Sequence, residues 1–353
     1  MPRRSVQRDE QIGMSSVAPI HCDLLVAGSG AGGLATAVTA AFLGLDVIVV
    51  EKEAQLGGTT AWSGGWMWVP RNPLAVAAGI AEDIDAPRTY LKCELGAHYN
   101  GQIVERFLEQ APRMVSFFSE NTSLAFVDGN AIPDFHETAG AARARSVCAA
   151  PFDGRHLGAR IDDLRAPLGD LSPWGMGIAS GADLRHFINV TSDLQSFRHV
   201  AQRIARYTVD RVRYGRGMHL VNGNALVARL LKSADDLGVR IMTATPVRDV
   251  ISRDGAVTGV RVTRNGGALE IVARRGVVLA CGGFPHDARR MADLFAHAPT
   301  GREHWSAAPR SNTGDGLRLG EQAGGAVARD LADAGAWAPV SLVPHRDLSL
   351  IHI

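Results

Sequence analysis

Residues 23–65 read DLLVAGSGAGGLATAVTAAFLGLDVIVVEKEAQLGGTTAWSGG, and the fold is decided there. A short apolar run, 24–27, reads as a strand buried on both faces. It ends in Gly28-Ser29-Gly30-Ala31-Gly32-Gly33. Gly28 would permit a tight turn, Gly30 would let the backbone approach a pyrophosphate, and Gly33 would let a helix pack close to the strand. Residues 31–43 are mostly small and apolar, which predicts a buried helix whose N-terminus offers free N–H groups and partial positive charge to phosphates. A second strand is expected over 47–50, ending at Glu51. That acid lies about twenty residues past the turn, where a carboxylate takes ribose hydroxyls. A glycine motif alone is weak; framed by two strands, a helix and a terminal acid, it reads as a dinucleotide site and not a structural turn.

The next stretch is Gly57-Gly58-Thr59-Thr60-Ala61-Trp62-Ser63-Gly64-Gly65. A dinucleotide site alone needs no such loop. FAD does, because its ribityl chain and isoalloxazine extend past the pyrophosphate. Small residues would let the chain lie against the flavin, with Thr59, Thr60 and Ser63 as hydrogen-bond donors. A flexible linker is the bland alternative, but Trp62, Trp66, Met67 and Trp68 are too large and apolar for one.

Length and composition suit an enzyme with a buried core. At 353 residues, two domains are the prior. Apolar residues make up 46% and charged residues 21%, and the net charge of +1 gives no reason to expect nucleic acid or an anionic surface as a partner. No uninterrupted apolar run is long enough to span a membrane. Residues 1–19 read as a disordered leader, since no apolar segment follows Arg3-Arg4. Cys22, Cys93, Cys148 and Cys281 show no paired spacing, which suits a reducing compartment and a cytoplasmic location. The histidines show no HxxxH or HExxH spacing, so no metal is expected.

Further along, residues 76–125 read as helical, 126–185 as loop-rich and 186–213 as helical again. A helix from about 224 should end at Gly238, followed by a strand over 239–243. Residues 246–251 and 259–262 read as antiparallel strands around Asp254-Gly255. Residues 276–284 read as a buried strand ending in glycines, and Asn312-Thr313-Gly314-Asp315-Gly316 as an N-capped helix start.

GSGAGG, GGTTAWSGG, LACGGF and NTGDG, in that order, resemble the fumarate reductase/succinate dehydrogenase flavoprotein superfamily. WMWVPRNP at 66–73, PDFH at 133–136, PFDGRHLG at 151–158 and AWAPVSLVP at 336–344 look most like its 3-ketosteroid Δ1-dehydrogenase branch. The resemblance implies an α/β fold: a Rossmann-like FAD-binding domain over 20–288, with an inserted helical and loop region at about 76–213. Residues 289–353 would begin an α+β cap. It places the cofactor at Gly28–Gly33, Glu51, Lys52, Gly57–Thr60, Ser63–Gly65, Val247, Ala280, Gly282, Gly283 and Asp315. It implies ring desaturation with hydride transfer to flavin N5, a small apolar ring substrate and an unidentified electron acceptor.

Two departures narrow the expectation. Succinate and fumarate enzymes carry a QxHPT-like stretch after TGDG, where this chain has Ala336-Trp337-Ala338-Pro339-Val340. An apolar ring fits better than a dicarboxylate. Steroid dehydrogenases also use a late tyrosine, whereas Tyr214 is the last one here, and Phe135 stands in the PDFH loop. No catalytic acid or base is assigned. Family members continue past residue 353, and residues 347–353 match no pattern, so the FAD domain is expected to be incomplete. Reduction of an unsaturated acid and an inactive flavin-binding fragment are the alternatives.

Overall fold

The computed structural model describes residues 18–169, 172–331 and 334–335, with the backbones of 342–344 and 350–352. Residues 1–17 of the expected leader and the 336–340 stretch lie outside the described residues. At the centre is a six-stranded sheet. Its strands are β1 (Ile20–Ala27), β2 (Val47–Val50), β3 (Arg240–Met242), β4 (Val247–Arg253), β5 (Ala256–Arg264) and β6 (Gly267–Leu279). Their spatial order is β3-β2-β1-β6-β5-β4. β1 runs parallel to β2 and β6, and β2 parallel to β3. β4, β5 and the first half of β6 form an antiparallel meander.

The period of two in β1 and β2 sends alternate side chains to two cores. Val26, Val47 and Val49 pack beneath two helices, α1 (Ala31–Phe42) and α2 (Asn222–Asp236), against Leu34, Val38, Leu226 and Leu230. Leu25, Ile48 and Val50 face the other way, onto Val260, Val262 and Ile271. The meander therefore bends over the second face, and Arg264 Nη1 donates to Met242 Sδ of β3 at 3.5 Å. All four residues of β2 are buried, as expected of a parallel strand covered on both sides.

Two tight turns build the meander. Asp254 and Gly255 hold φ of 51° and 79°, and Asn265 and Gly266 hold 50° and 78°. Both central residues have positive φ in each, the geometry that matches strand twist. The first turn was expected from the sequence. The second makes Gly267–Leu279 one 13-residue strand, antiparallel to β5 in its first half and parallel to β1 in its second. The separate buried strand expected at 276–284 is thus the half-buried end of β6, and the chain leaves the sheet after Leu279.

The helical region expected at 76–125 breaks into Pro73–Ala77, Asp85–Leu95 and Gly101–Asn121, with Gly79 and Gly96 in positive φ between them. Residues 186–213 divide likewise into Ala182–Ile188 and Leu194–Tyr214, because Asp193 caps the second helix through the amides of Gln195 and Ser196. The loop-rich region contains strands that its composition hid. Ser146–Ala149 pairs with both Trp66–Trp68 and Phe126–Asp128. Residues after β6 carry a separate small apolar cluster of Met291, Phe295 and Ala298. They lead to α3 (Asp315–Gln322). Gly314, in a left-handed conformation, stands at the cap of α3 in place of an Asn312 side chain.

Candidate functional site: a cleft at the carboxyl ends of the parallel strands

The chain turns sharply as it leaves β1. Gly28 holds φ of 108°, and a Cβ there would sit 2.2 Å from the Ala280 carbonyl oxygen. At Gly33 a Cβ would sit 2.0 Å from the Gly28 carbonyl oxygen, so α1 rests on the turn itself. Gly30 differs: a Cβ there would meet only Thr60 Oγ1, at 3.4 Å. Its missing side chain leaves space open at the helix N-terminus, where the first N–H groups have no intrahelical acceptor. The Ala31 N–H donates to Thr60 Oγ1 at 3.0 Å.

This N-terminus opens into a cleft of about 690 Å³. Gly28, Ser29, Gly30, Ala31 and Gly32 line its floor, with Ala280 and Gly282 from the end of β6. Glu51 and Lys52 from the end of β2, Gly58, Thr59 and Thr60, and Val247 and Asp315 complete its lining. Fourteen of the twenty residues singled out from the sequence line this one cleft. Six do not. Gly33 and Gly57 pack beneath it, Gly65 packs on the start of α2 at Asn222, and Gly283 lies outside the lining. Ser63 and Gly64 line a second cavity.

Glu51 is 8% exposed. Its Oε2 accepts from Ser29 N–H at 3.0 Å and Ser29 Oγ at 2.6 Å, and its Oε1 from Glu53 N–H at 3.0 Å. The Gly57 N–H donates to Ser29 Oγ at 3.0 Å. A carboxylate offers about four acceptor positions, so these bonds leave one for a ligand hydroxyl. The acid expected to face a ribose therefore also ties together the ends of two strands and the glycine-rich loop.

Polar contacts between residues distant in sequence hold this lining together. Lys52 Nζ donates to Thr313 Oγ1 at 2.9 Å and pairs with Asp315. Asn312 Nδ2 donates to Thr59 Oγ1 at 2.8 Å, and Arg318 Nη1 to the Arg248 carbonyl at 2.8 Å. Asn312, Thr313, Arg318 and Arg248 line the cleft but were not expected there as cofactor residues, although Asn312 and Thr313 belong to the NTGDG motif. Arg318 stands one helical turn after Asp315, a spacing that shares a helix face and was the available signal. The loop hydroxyls are also more engaged than expected: Thr60 Oγ1 and Thr59 Oγ1 accept protein N–H groups, and Ser63 Oγ donates to the Thr60 carbonyl at 2.8 Å. Cys281 lines the cleft, but burial pushes its thiol up to about 11, aided by Asp315 and Glu51. It stays protonated and acts as a small apolar group.

The tryptophans fix the loop. Trp62 Nε1 donates to the Ala166 carbonyl at 3.0 Å with the Arg165 guanidinium over its ring, and Trp68 Nε1 donates to Asp134 at 2.8 Å. Behind Trp62 and Ser63 lies the second cavity, about 220 Å³ in volume. His219 lines it, and burial, with Arg203 and Arg206 nearby, lowers its pKa from 6.5 to about 4. The unfolded chain takes up this proton below about pH 6.5 and the folded chain only near 4. Stability should therefore fall as pH drops through that window. His219→Phe should remove a contribution on the order of 1–2 kcal/mol, after solvent screening, between pH 7 and 4.5. Urea unfolding of both proteins at the two pH values reads it, and parallel losses would refute the assignment.

The family model described as "FAD binding domain" matches residues 23–352. The chain belongs to this family. Its cofactor is FAD, and residues 347–352, left without a place from the sequence, fall within the matched span. The chain is 37% identical over 332 residues to a 4-oxocyclohex-2-ene-1-carboxylate 5-dehydrogenase of Sinomonas cyclohexanicum, covering 93% of this chain and 55% of that protein. It is 32% identical over 335 residues to a 3-oxosteroid 1-dehydrogenase of Mycobacterium tuberculosis, covering 90% and 56%. The solved structure of a 3-ketosteroid delta1-dehydrogenase from Sterolibacterium denitrificans, in complex with 1,4-androstadiene-3,17-dione, superposes with a TM-score of 0.81 at 31% identity, covering 94% and 59%. The chain thus spans little more than half the length of these relatives. Among the described residues, no helix is long and apolar enough to cross a membrane.

Proposed function

We propose that the protein is an FAD-dependent dehydrogenase that desaturates a ring ketone at the CH–CH bond beside the carbonyl. The observation that carries this reading is the single cleft formed by the α1 N-terminus, Glu51, the Gly58–Thr60 segment and the end of β6. Its residues suit FAD. The space left by Gly30 and the amides after it would receive the pyrophosphate, and Glu51 Oε1 a ribose hydroxyl. Lys52, Asp315 and Val247, which share the same lining, would also bound the cofactor. Bound flavin supplies a hydride acceptor at N5. The chain's own part is to hold the cofactor in one orientation and to exclude water from its face.

The 3-ketosteroid ring expected from the sequence and the oxocyclohexene ring in the name of the Sinomonas relative share the same unit, a carbonyl beside the bond to be oxidised. The test is anaerobic. The FAD-loaded chain should bleach when mixed with a 3-ketosteroid or a 4-oxocyclohexanecarboxylate, and an artificial acceptor should restore its colour. A flavin-loaded chain that neither ketone bleaches would defeat the proposal. Reoxidation of chemically reduced protein by fumarate would favour the unsaturated-acid reading instead.

A further inference from the structure

The second cavity carries an imbalance of charge. Four arginines line it, Arg203, Arg206, Arg211 and Arg216, against one carboxylate, Asp210. Asp210 is 4% exposed, and its Oδ2 accepts the Met218 N–H at 3.1 Å. The Arg203 side chain is only 11% exposed. One of its terminal nitrogens donates to the Gly177 carbonyl at 2.6 Å and lies 3.4 Å from Asp183, while its Nε is buried with no partner. Arg206 has Asp153 at 4.0 Å, and Arg216 Nη1 donates to the carbonyls of Ile161 and Leu164. Burial holds the Arg203 and Arg216 guanidiniums below their usual range. Desolvated guanidiniums without full counter-charge are costly, and an entering anion relieves that cost. The lining also includes the large apolar side chains of Trp62, Leu168, Trp174 and Leu220.

Ser63 and Gly64 tie this cavity to the cofactor cleft. They continue the loop whose preceding residues, Gly58–Thr60, line that cleft. We propose that the cavity is a carboxylate subsite, so that the ring ketone oxidised by this protein is an acid and not a neutral steroid. Arg203 and Arg206 would take the carboxylate, for which the planar guanidinium is well shaped, and the ring would lie against Trp62. This substrate class rests on the dehydrogenase reading above, whereas the subsite itself stands on the cavity.

Trp62 and Trp174 line the cavity and report on it directly. Intrinsic fluorescence of the FAD-loaded chain should respond saturably to cyclohexanecarboxylate, at least tenfold more tightly than to cyclohexanecarboxamide. R203Q and R206Q should each weaken the acid at least tenfold and leave flavin content unchanged. Arg206 is half-exposed, so its variant keeps the test alive if R203Q fails to fold. Equal binding of acid and amide, no saturable response, or parent-like affinity in a folded R206Q would each overturn the subsite. Arginine-dependent binding without bleaching by the 4-oxo acid would keep the subsite and defeat the dehydrogenase reading. Bleaching by a neutral 3-ketosteroid at least tenfold more effective than by the 4-oxo acid would overturn the substrate class alone.

Discussion

Gly30→Val should yield a folded protein that has lost FAD, whereas Gly33→Val should yield no folded protein. The two glycines stand three residues apart in one motif, and the sequence gives them equal weight. Their surroundings differ. A Cβ at Gly33 would lie 2.0 Å from a backbone oxygen that cannot move without undoing the β1–α1 turn. At Gly30 the backbone is ordinary extended chain, φ −71° and ψ −177°, and a Cβ would meet only the Thr60 hydroxyl. Valine there projects into the space the pyrophosphate would use. We expect an apparent FAD affinity at least a hundredfold weaker, about 3 kcal/mol, with far-UV circular dichroism and apo-protein Tm close to the parent. Titration of FAD into stripped protein measures the first and a thermal scan the second. Parent-like flavin retention would move the cofactor away from the α1 N-terminus. Loss of fold in Gly30→Val would show that the apparent open space is structural.

What the sequence made legible was local and close to the cofactor. The helix and second strand of the β1–α1–β2 unit came out nearly residue for residue, because a buried parallel strand, a glycine turn and a small-residue helix each leave a periodic or compositional mark. β1 begins at Ile20, four residues before the expected 24–27 run. The Asp254-Gly255 turn was readable for the same reason. The Asn265-Gly266 turn is of equal chemistry but was passed over, and so a 13-residue strand was taken for a shorter one. The Trp66–Trp68 strand was hidden by its glycine-rich flank, since three residues are too few to show alternation. Contacts that span the chain left no periodic trace. Asn312 with Thr59 and Lys52 with Thr313 are separated by more than 250 positions, and only the folded chain brings them to one cleft. The arginine-lined cavity was invisible for a related reason. Arg203, Arg206 and Arg211 fall within a stretch read only as helical, and burial of the Arg203 side chain shows only in the fold.

Glu51→Gln should weaken both flavin binding and the fold, and the two losses should be separable. In the apo-protein the carboxylate serves three donors: the Ser29 N–H, the Ser29 hydroxyl and the Glu53 N–H. A glutamine presents one oxygen and one NH₂ group. Whichever way the amide turns, a donor faces either Ser29 N–H or Glu53 N–H, and that buried or half-buried group goes unsatisfied, at about 1–3 kcal/mol. This loss appears without cofactor, as a lower urea midpoint. Flavin binding should weaken further, by about 1.5–3 kcal/mol, through loss of a charge-assisted bond to a ribose hydroxyl. Ser29→Ala supplies the comparison. It removes the hydroxyl that bridges Glu51 and the Gly57 N–H but keeps the carboxylate, so it should destabilise the apo-protein while costing FAD less than Glu51→Gln does. Because Ser29 and Glu51 are in direct contact, the double variant should fall short of the sum of the two stability losses, and the cycle gives their coupling. Undiminished FAD affinity in a destabilised Glu51→Gln would confine Glu51 to holding the strand ends together. Unchanged apo-stability with weakened FAD would instead mean that its bonds to Ser29 and Glu53 contribute nothing net, and that the carboxylate is kept there for the ribose alone.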